Sequence, residues 1–187
     1  MTSSDETRVR KQQANDYAKI EDFCSAFTKG MNELYYLSFL LTADHHEAEQ
    51  CFVAGLEDSV SSNHVFKEWV RSWAKRTIIQ NAIRVVMPRR PVSSSHSSTV
   101  PHSISELPGQ NRHFKLDWVL ELGDFDRFVF VTSVLEHYSN HDCSILLDCS
   151  TRQIEEARIR AFAQLNGSLA TTSSPQVDSE TLQEIER

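Results

Sequence analysis

The stretch from Asp126 to Leu165 constrains the fold more than any other part of the chain, because three helical patterns follow one another there with only short polar turns between them. Apolar residues at helical spacing predict a first helix from about Asp126 to His137. Ser139 stands three residues before Asp142, which is the spacing of a capping box. A short second helix is therefore expected directly after Ser139.

The second turn is followed by a longer predicted helix that ends near Leu165. Ser150 and Gln153 form another capping-box pair, and Ile154, Ala157 and Ala161 fall on one face of this helix. A short helix, a tight turn and a longer helix with a small apolar face are typical of the helix-turn-helix unit, which places its second helix in the DNA major groove. A three-helix packing unit without a nucleic-acid role fits the same pattern.

The composition of the chain favours an all-α protein. Its 187 residues include only five glycines, and few β-branched runs are bounded by turns. No apolar run approaches the roughly 18 residues of a membrane-spanning helix, and residues 1–13 are polar and lack an apolar signal core. We therefore expect a cytoplasmic protein with no membrane partner and with a disordered start.

The cysteines and histidines do not suggest a metal site. No Cys-x-x-Cys pair is present, and the cysteines lie in apolar helical contexts, which predicts reduced core thiols. His45 and His46 are adjacent and point about 100° apart on a helix. The turn at Tyr138 separates His137 from His141, so neither group predicts a metal ion or cofactor. The four cysteines are Cys24, Cys51, Cys143 and Cys149.

A segment rich in serine and proline divides the chain. Residues 88–112 hold four of the five prolines and seven serines, which is typical of a flexible linker. The linker separates a helical domain at residues 14–87 from another at residues 113–166, and residues 167–187 form an acidic tail. The net charge is −7, yet seven basic residues and one acid lie between His64 and Arg90. A local basic face attracts phosphate even in an acidic chain.

The basic segment coincides with a helix predicted from about Asn63 to Val86. Lys67, Arg71 and Lys75 recur every four residues and form a basic stripe along it. Aromatic residues beside basic ones suit the stacking and backbone contacts of single-stranded DNA, although a core helix with a solvated basic side gives the same pattern. The broad buried face predicted for this helix comprises Val65, Phe66, Trp69, Val70, Trp73, Ile78 and Ile83.

The first domain is expected to open with a long amphipathic helix from Asp16 to Leu41, with Gly30 as a position where it can break. Asp44 and Glu47 have capping-box spacing and predict the start of the next helix.

Three segments resemble the sigma-70 family of RNA polymerase sigma factors, in particular the short extracytoplasmic-function type. The segment DRFVFVTSVLEHYSNHDCSILLDCSTRQIEEARIRAFAQL is similar to the domain that reads the promoter −35 element, known as region 4. FKEWVRSWAKRTIIQNAIR is similar to the helix of region 2 that contacts the −10 element, and LYYLSFLLTADHHEAEQ resembles the start of that region. The resemblance implies two small helical domains, with core RNA polymerase, promoter DNA and an anti-sigma factor as partners.

The resemblance also implies site residues, which are carried over by position. Those of the −10-like helix are Lys67, Trp69, Arg71, Trp73, Lys75, Arg76, Gln80 and Arg84. Those of the −35-like helix are Thr151, Arg152, Gln153, Glu155, Glu156, Arg158 and Arg160. Those expected to bind the polymerase are Asp44, Glu47, Glu49, Gln50, Val53 and Ala54.

Departures from the family pattern support a second hypothesis. Family members carry an acid and a Gln-Glu pair where this chain has Gln50, Val53 and Ala54, and the recognition helix carries Glu155 and Glu156. A sigma-like regulator that keeps both folds but acts through protein contacts, without promoter activity, fits these departures. A third hypothesis is a generic helix-turn-helix repressor, but it assigns no function to the tryptophan-rich basic helix. The sequence has none of the usual phosphate-loop, nucleophile or zinc-protease motifs, so we do not expect an enzyme.

Overall fold

The structure of the protein, a computed structural model, describes residues 16–62, 64–89 and 117–172. Within these ranges the chain confirms the all-α prediction, since its extended contacts amount to one isolated bridge between Tyr17 and Phe66. The predicted disordered start, residues 90–112 of the predicted linker and the end of the tail lie outside the described residues. The α-helices of these ranges are α1 (Ile20–Lys29), α2 (Met31–Thr42), α3 (His45–Val60), α4 (Val70–Val86), α5 (Asp117–Leu120), α6 (Asp124–Phe130), α7 (Asn140–Leu146) and α8 (Thr151–Thr172).

The long helix predicted from Asp16 to Leu41 is divided into α1 and α2 at Gly30. A Cβ at Gly30 would lie 3.0 Å from the carbonyl oxygen of Ala26, so the tight turn suits a residue that lacks one. The predicted cap of α3 is confirmed, because Asp44 Oδ1 accepts a hydrogen bond from the backbone N–H of Glu47 at 2.9 Å.

Helix α4 begins later than the sequence predicts. Its first turn is a 3₁₀ helix at Lys67–Trp69, and the α-helix proper starts at Val70. The reason is that Phe66 is extended and bridges to Tyr17, while His64 has a φ of 64°, which a helix does not allow. The predicted starting residue, Asn63, lies outside the described residues.

Helices α3 and α4 pack very closely. A Cβ at Gly55 of α3 would lie 2.7 Å from Cγ1 of Ile78 on α4, so the absence of a side chain at Gly55 sets the distance between the two helices. Next to this contact the buried hydroxyls of Ser59 and Thr77 form a hydrogen bond at 2.9 Å, and the hydroxyl of Thr77 donates to the carbonyl of Ala74 at 2.9 Å.

The helix predicted from Asp126 to His137 ends earlier and in an unusual way. The α-helix α6 gives way to a π-turn at Val131–Leu135, in which the backbone N–H of Glu136 donates to the carbonyl of Val131 at 3.0 Å. His137 then has a φ of 59°, so it cannot continue the helix. The chain thereby makes a sharp corner before α7.

The two parts of the chain pack against each other. We call residues 16–89 the N-terminal half and residues 117–172 the C-terminal half. Both contribute to one apolar cluster, in which helix α2 of the N-terminal half packs against α6 of the C-terminal half. Burial of this shared apolar surface stabilises their association. The cluster includes Phe27, Leu37, Leu41 and Ile79 from the first half and Val119, Phe128 and Val131 from the second.

The four cysteines, all within the described residues, form no disulfide with one another, and their burial differs. Cys51 and Cys143 are buried, as predicted, and burial raises the pKa of the Cys51 thiol to about 11. The prediction of a core position is wrong for Cys24, which lies on the exposed side of α1. Among the described helices, none combines the length and the apolar character that a bilayer crossing requires.

Candidate nucleic-acid interface

The three residues of the basic stripe differ in exposure and in partners. Lys67 is exposed at the 3₁₀ turn, and the Arg71 side chain is 72% exposed and forms an ion pair with Glu33. The Lys75 side chain is only 22% exposed. Exposure therefore falls along the stripe towards the place where the C-terminal half covers α4.

Lys75 lies between two carboxylates that belong to different halves. Its Nζ atom is 2.9 Å from Oε1 of Glu33 and 2.7 Å from Oε2 of Glu136. Burial lowers the pKa of the Lys75 ammonium, but its hydrogen bonds to Glu136 and Glu33 outweigh this, so the net pKa is raised. The hydrogen bond from Lys75 likewise lowers the pKa of Glu33. Lys75 and Glu33 thus each stabilise the charged form of the other.

An aromatic row formed by Tyr17, Phe66 and Trp69 lies at the start of α4. The rings of Tyr17 and Phe66 stack with centroids 4.8 Å apart, and the ring of Phe66 meets that of Trp69 edge-on at 5.1 Å. The predicted burial of Trp69 is wrong, because the 3₁₀ turn carries its indole outward and leaves it 55% exposed. An exposed indole in the same turn as Lys67 is a surface on which an unpaired base can stack. Sequence reasoning missed Tyr17, which joins the row only through the bridge to Phe66.

The remaining predicted residues of α4 have mixed surroundings. Trp73 is half-buried, and its Nε1–H donates to the hydroxyl of Ser62 at 2.9 Å, so it supports the fold. Arg84 is exposed, but its Nη1 lies 2.9 Å from Oδ2 of Asp58, which neutralises it locally. The other two positions are Arg76, which is exposed, and Gln80, which is half-buried.

Helices α7 and α8 are joined by a tight turn, and both start at the predicted caps. Ser139 Oγ accepts from the backbone N–H of Asp142 at 3.1 Å. The backbone N–H of Ser150 donates to Gln153 Oε1 at 3.0 Å, and the backbone N–H of Gln153 donates back to Ser150 Oγ at 3.3 Å. The capping box of Ser150 and Gln153 is therefore confirmed, and Ser139 is confirmed as a cap, with the Asp142 carboxylate accepting from its hydroxyl. The residues buried between α6, α7 and α8 are Phe125, Val129, Cys143, Ile154 and Ala157.

The outer face of α8 carries charges of both signs. Thr151, Arg152, Glu155 and Glu156 are exposed at its start, while Gln153 is partly buried by its capping role. Nε of Arg152 donates to Oε1 of Glu156 at 2.8 Å, one helical turn along. The first turns of α8 thus present an arginine that is already paired and two carboxylates.

The two later arginines of α8 hold the C-terminal half together. Arg160 donates to both carboxylate oxygens of Asp126 on α6, at 2.9 and 2.6 Å. Arg158 is half-buried and donates to Oδ1 of Asn140 at 3.2 Å. A bidentate guanidinium–carboxylate pair fixes geometry as well as charge, so Arg160 orients α8 on α6. Sequence analysis assigned both arginines to DNA and missed these partners.

The predicted polymerase-binding residues lie along α3. Asp44 caps the helix, and Glu49, Gln50 and Val53 are exposed, with Val53 49% exposed although it is apolar. Nε2 of Gln50 lies 2.9 Å from Nε2 of His46, so these two side chains form a hydrogen bond on the surface. The remaining two, Glu47 and Ala54, are half-buried.

An aromatic contact flanks this surface and was not predicted. The ring of His45 stacks on Phe39 with centroids 4.4 Å apart, and its Nδ1 lies 3.1 Å from the hydroxyl of Tyr35. The histidine is thus held by aromatic neighbours of α2. Across the residues that the structure describes, no group of three or more histidine, cysteine or carboxylate side chains is placed to hold a metal ion.

Arg127 joins the two halves at the centre of their contact. It is 4% exposed, and its Nε donates to the carbonyl of Leu41 in the N-terminal half at 3.2 Å. Its other nitrogens donate to the carbonyl of Leu122 at 3.0 Å and to Asp124 at 2.7 Å. Burial lowers the pKa of the guanidinium, and Asp124 opposes that change. In the sequence Arg127 is an arginine between acidic and aromatic residues, so nothing marks it as buried.

A polar cleft of about 440 Å³ opens between the halves beside Lys75. The basic side of α4 forms one wall, and the corner after the π-turn forms the other. Burial raises the pKa of the Tyr138 phenol at this corner. The charged residues that line the cleft are Glu33, Arg71, Lys75, Glu136 and Asp142.

Comparison with known proteins gives no relative, since no protein-family model, no curated protein and no solved structure matches the chain.

Proposed function

We propose that this protein is a sigma-type factor that brings core RNA polymerase to promoters, with α4 at the −10 element and α8 at the −35 element. The observation that carries the proposal is the exposed indole of Trp69, which shares the first, 3₁₀ turn of a basic helix with the exposed Lys67. Base stacking and phosphate neutralisation are the two interactions that hold single-stranded DNA.

On α4 the proposed role of each residue follows from how exposed its side chain is. Trp69 stacks on a base of the opened strand, and Phe66 and Tyr17 behind it hold the indole in place. Lys67 and Arg76, which are exposed, neutralise the neighbouring phosphates. Trp73 supports the helix from the half-buried side rather than contacting DNA.

Helix α8 supports the second part of the proposal through its capped, exposed start. In helix-turn-helix proteins the first residues of the second helix contact base edges in the major groove. Arg152 lies in the first turn and donates to guanine or phosphate once it leaves Glu156. Glu155 accepts from the cytosine amino group, so an acid at this position is compatible with base reading.

Co-elution with bacterial core RNA polymerase tests the proposal. The purified chain is mixed with core enzyme and passed over a sizing column at near-physiological salt. We expect co-elution of the wild type and a strong loss with Val53→Asp, since this substitution places a charge on the exposed apolar position of α3. Val85→Asp, at another exposed valine, is the matched control and should co-elute like the wild type.

A second function is favoured by the state of α8. Its cations Arg152 and Arg160 are paired with carboxylates of the same half, and apolar side chains are exposed nearby. A surface of this kind suits contact with another protein, as in a sigma-like regulator without promoter activity. Failure of the folded wild type to co-elute with polymerase would favour this second function. The exposed apolar residues are Ile145, Ile159 and Phe162.

A further inference from the structure

The Glu136–Lys75 ion pair places an acid of the C-terminal half on the basic stripe of the N-terminal half. The Oε2–Nζ distance is 2.7 Å, and the two side chains are 15% and 22% exposed. An ion pair shielded to this degree is less screened by salt than one on the open surface. Lys75 is the only residue of the stripe that is covered in this way in the described part of the chain.

The backbone that carries Glu136 is specialised for this contact. The π-turn is closed by the hydrogen bond from Glu136 N–H to Val131, and the N–H of Tyr138 donates to the carbonyl of Thr132 at 3.0 Å. Between them His137 adopts a positive φ of 59°, which is uncommon for a residue with a side chain. Two hydrogen bonds and a corner thus fix the direction in which the carboxylate of Glu136 leaves the chain.

The charge of the cleft opposes phosphate in this arrangement. Its walls carry the cations Arg71 and Lys75 together with the carboxylates of Glu33, Glu136 and Asp142. A DNA strand that reached the stripe would meet this excess of negative charge before it met Lys75. Removal of Glu136 from the cleft would leave Glu33 as the remaining carboxylate partner of Lys75 and would reverse part of the repulsion.

We propose that Glu136 is an intramolecular competitor for DNA phosphate, which occupies Lys75 and holds the halves together over the basic side of α4. The inference rests on the proposed function of α4. Single-stranded DNA then gains the full stripe only when the corner at residues 136–138 moves away from α4.

The test is the affinity of the full chain for a fluorescent single-stranded oligonucleotide of mixed sequence, measured by anisotropy at low and at near-physiological salt. We expect Glu136→Gln to bind on the order of fivefold more tightly than the wild type, since one phosphate contact is gained. Glu121→Gln removes the same charge from an exposed site of the same half and should leave the affinity unchanged. An equal gain in both variants would overturn the proposal, because total charge would then explain it.

A double variant separates the specific contact from other effects. Lys75→Gln together with Glu136→Gln should lose the gain, because the ammonium that DNA would take is missing. A gain that persists in the double variant would refute competition for Lys75. If the wild type binds and Glu136→Gln changes nothing, the competition fails while the proposed function stands. If neither the wild type nor Glu136→Gln binds, although both retain the helical circular dichroism, the proposed role of α4 fails as well.

Discussion

Two cations join the halves of this protein, and they do so in opposite ways. Arg127 is buried, and its guanidinium binds backbone carbonyls of Leu41 and Leu122 as well as Asp124. Lys75 lies at the rim of the same contact and binds two carboxylates, Glu33 and Glu136. The first contact depends on the backbone of both halves, whereas the second depends on side chains alone.

The difference indicates which contact is structural and which is exchangeable. If the guanidinium of Arg127 left, the carbonyls of Leu41 and Leu122 would stay buried without a hydrogen-bond donor. A buried acceptor without a donor lowers the stability of the fold. The side chain of Lys75 is partly solvated, so water or a phosphate can replace Glu136 at modest cost. We therefore call the Arg127 contact the fixed joint between the halves and the Lys75 contact the adjustable joint.

Among these substitutions, replacement of Arg127 by Met should have the largest effect on the stability of the protein. We expect a loss of about 3 kcal/mol in the free energy of unfolding, since the carbonyls of Leu41 and Leu122 lose their donors. Urea unfolding followed by circular dichroism measures it. Arg152→Met, at an exposed arginine, is the control and should change stability much less. Equal losses in the two variants would show that Arg127 is not a fixed joint.

Replacement of Lys75 by Met should cost less, at about 1 kcal/mol, because its carboxylate partners can turn towards water. The same urea titration applies, with Lys67→Met as the control at the exposed end of the stripe. A loss as large as that of Arg127→Met would contradict the view that this joint is adjustable.

Replacement of Arg160 by Gln should have a still smaller and local effect. The bidentate pair with Asp126 lies within the C-terminal half, so we expect about 0.5 kcal/mol, with faster amide hydrogen exchange in α6 and α8 but not in α4. Exchange that also rises in α4 would indicate that Arg160 acts on the contact between the halves.

The smallest expected effect is the pH dependence of the stability that the ion pair of Glu33 with Lys75 contributes. Its pKa is lowered in the folded chain, chiefly by the hydrogen bond from Lys75, from an ordinary value of 4.5. Its contribution to stability is therefore present above that ordinary value and is lost as the pH falls through the lower folded pKa. The stability difference between wild type and Glu33→Gln should shrink between about pH 5 and pH 3. A difference that stays constant over this range would mean that the ion pair contributes nothing.

Local features of the fold could be predicted from the sequence. The caps at Asp44, Ser139 and Ser150 depend on residues within three positions of each other, so their spacing alone identified them. The buried face of α8 at Ile154 and Ala157 follows in the same way from helical periodicity.

Features that depend on distant parts of the chain could not be predicted. The late start of α4 follows from the bridge of Phe66 to Tyr17, which no local pattern encodes. The same holds for the candidate site: the cationic stripe was visible, but its coverage by Glu136 was not. Arg160 shows the limit most clearly, because a surface arginine and an arginine paired with Asp126 look alike in sequence.

The π-turn at Val131–Leu135 also matters for how variants of the gene would behave. A π-turn closes over one residue more than an α-turn, so loss of a single codon in this segment would restore ordinary helical winding. A π-turn of five residues and an α-turn of four cover nearly the same rotation about the helix axis, so the N–H of Glu136 would still reach the carbonyl of Val131 after the deletion. An in-frame deletion here should therefore leave the contact of Glu136 with Lys75 in place, whereas a missense change at Glu136 removes it.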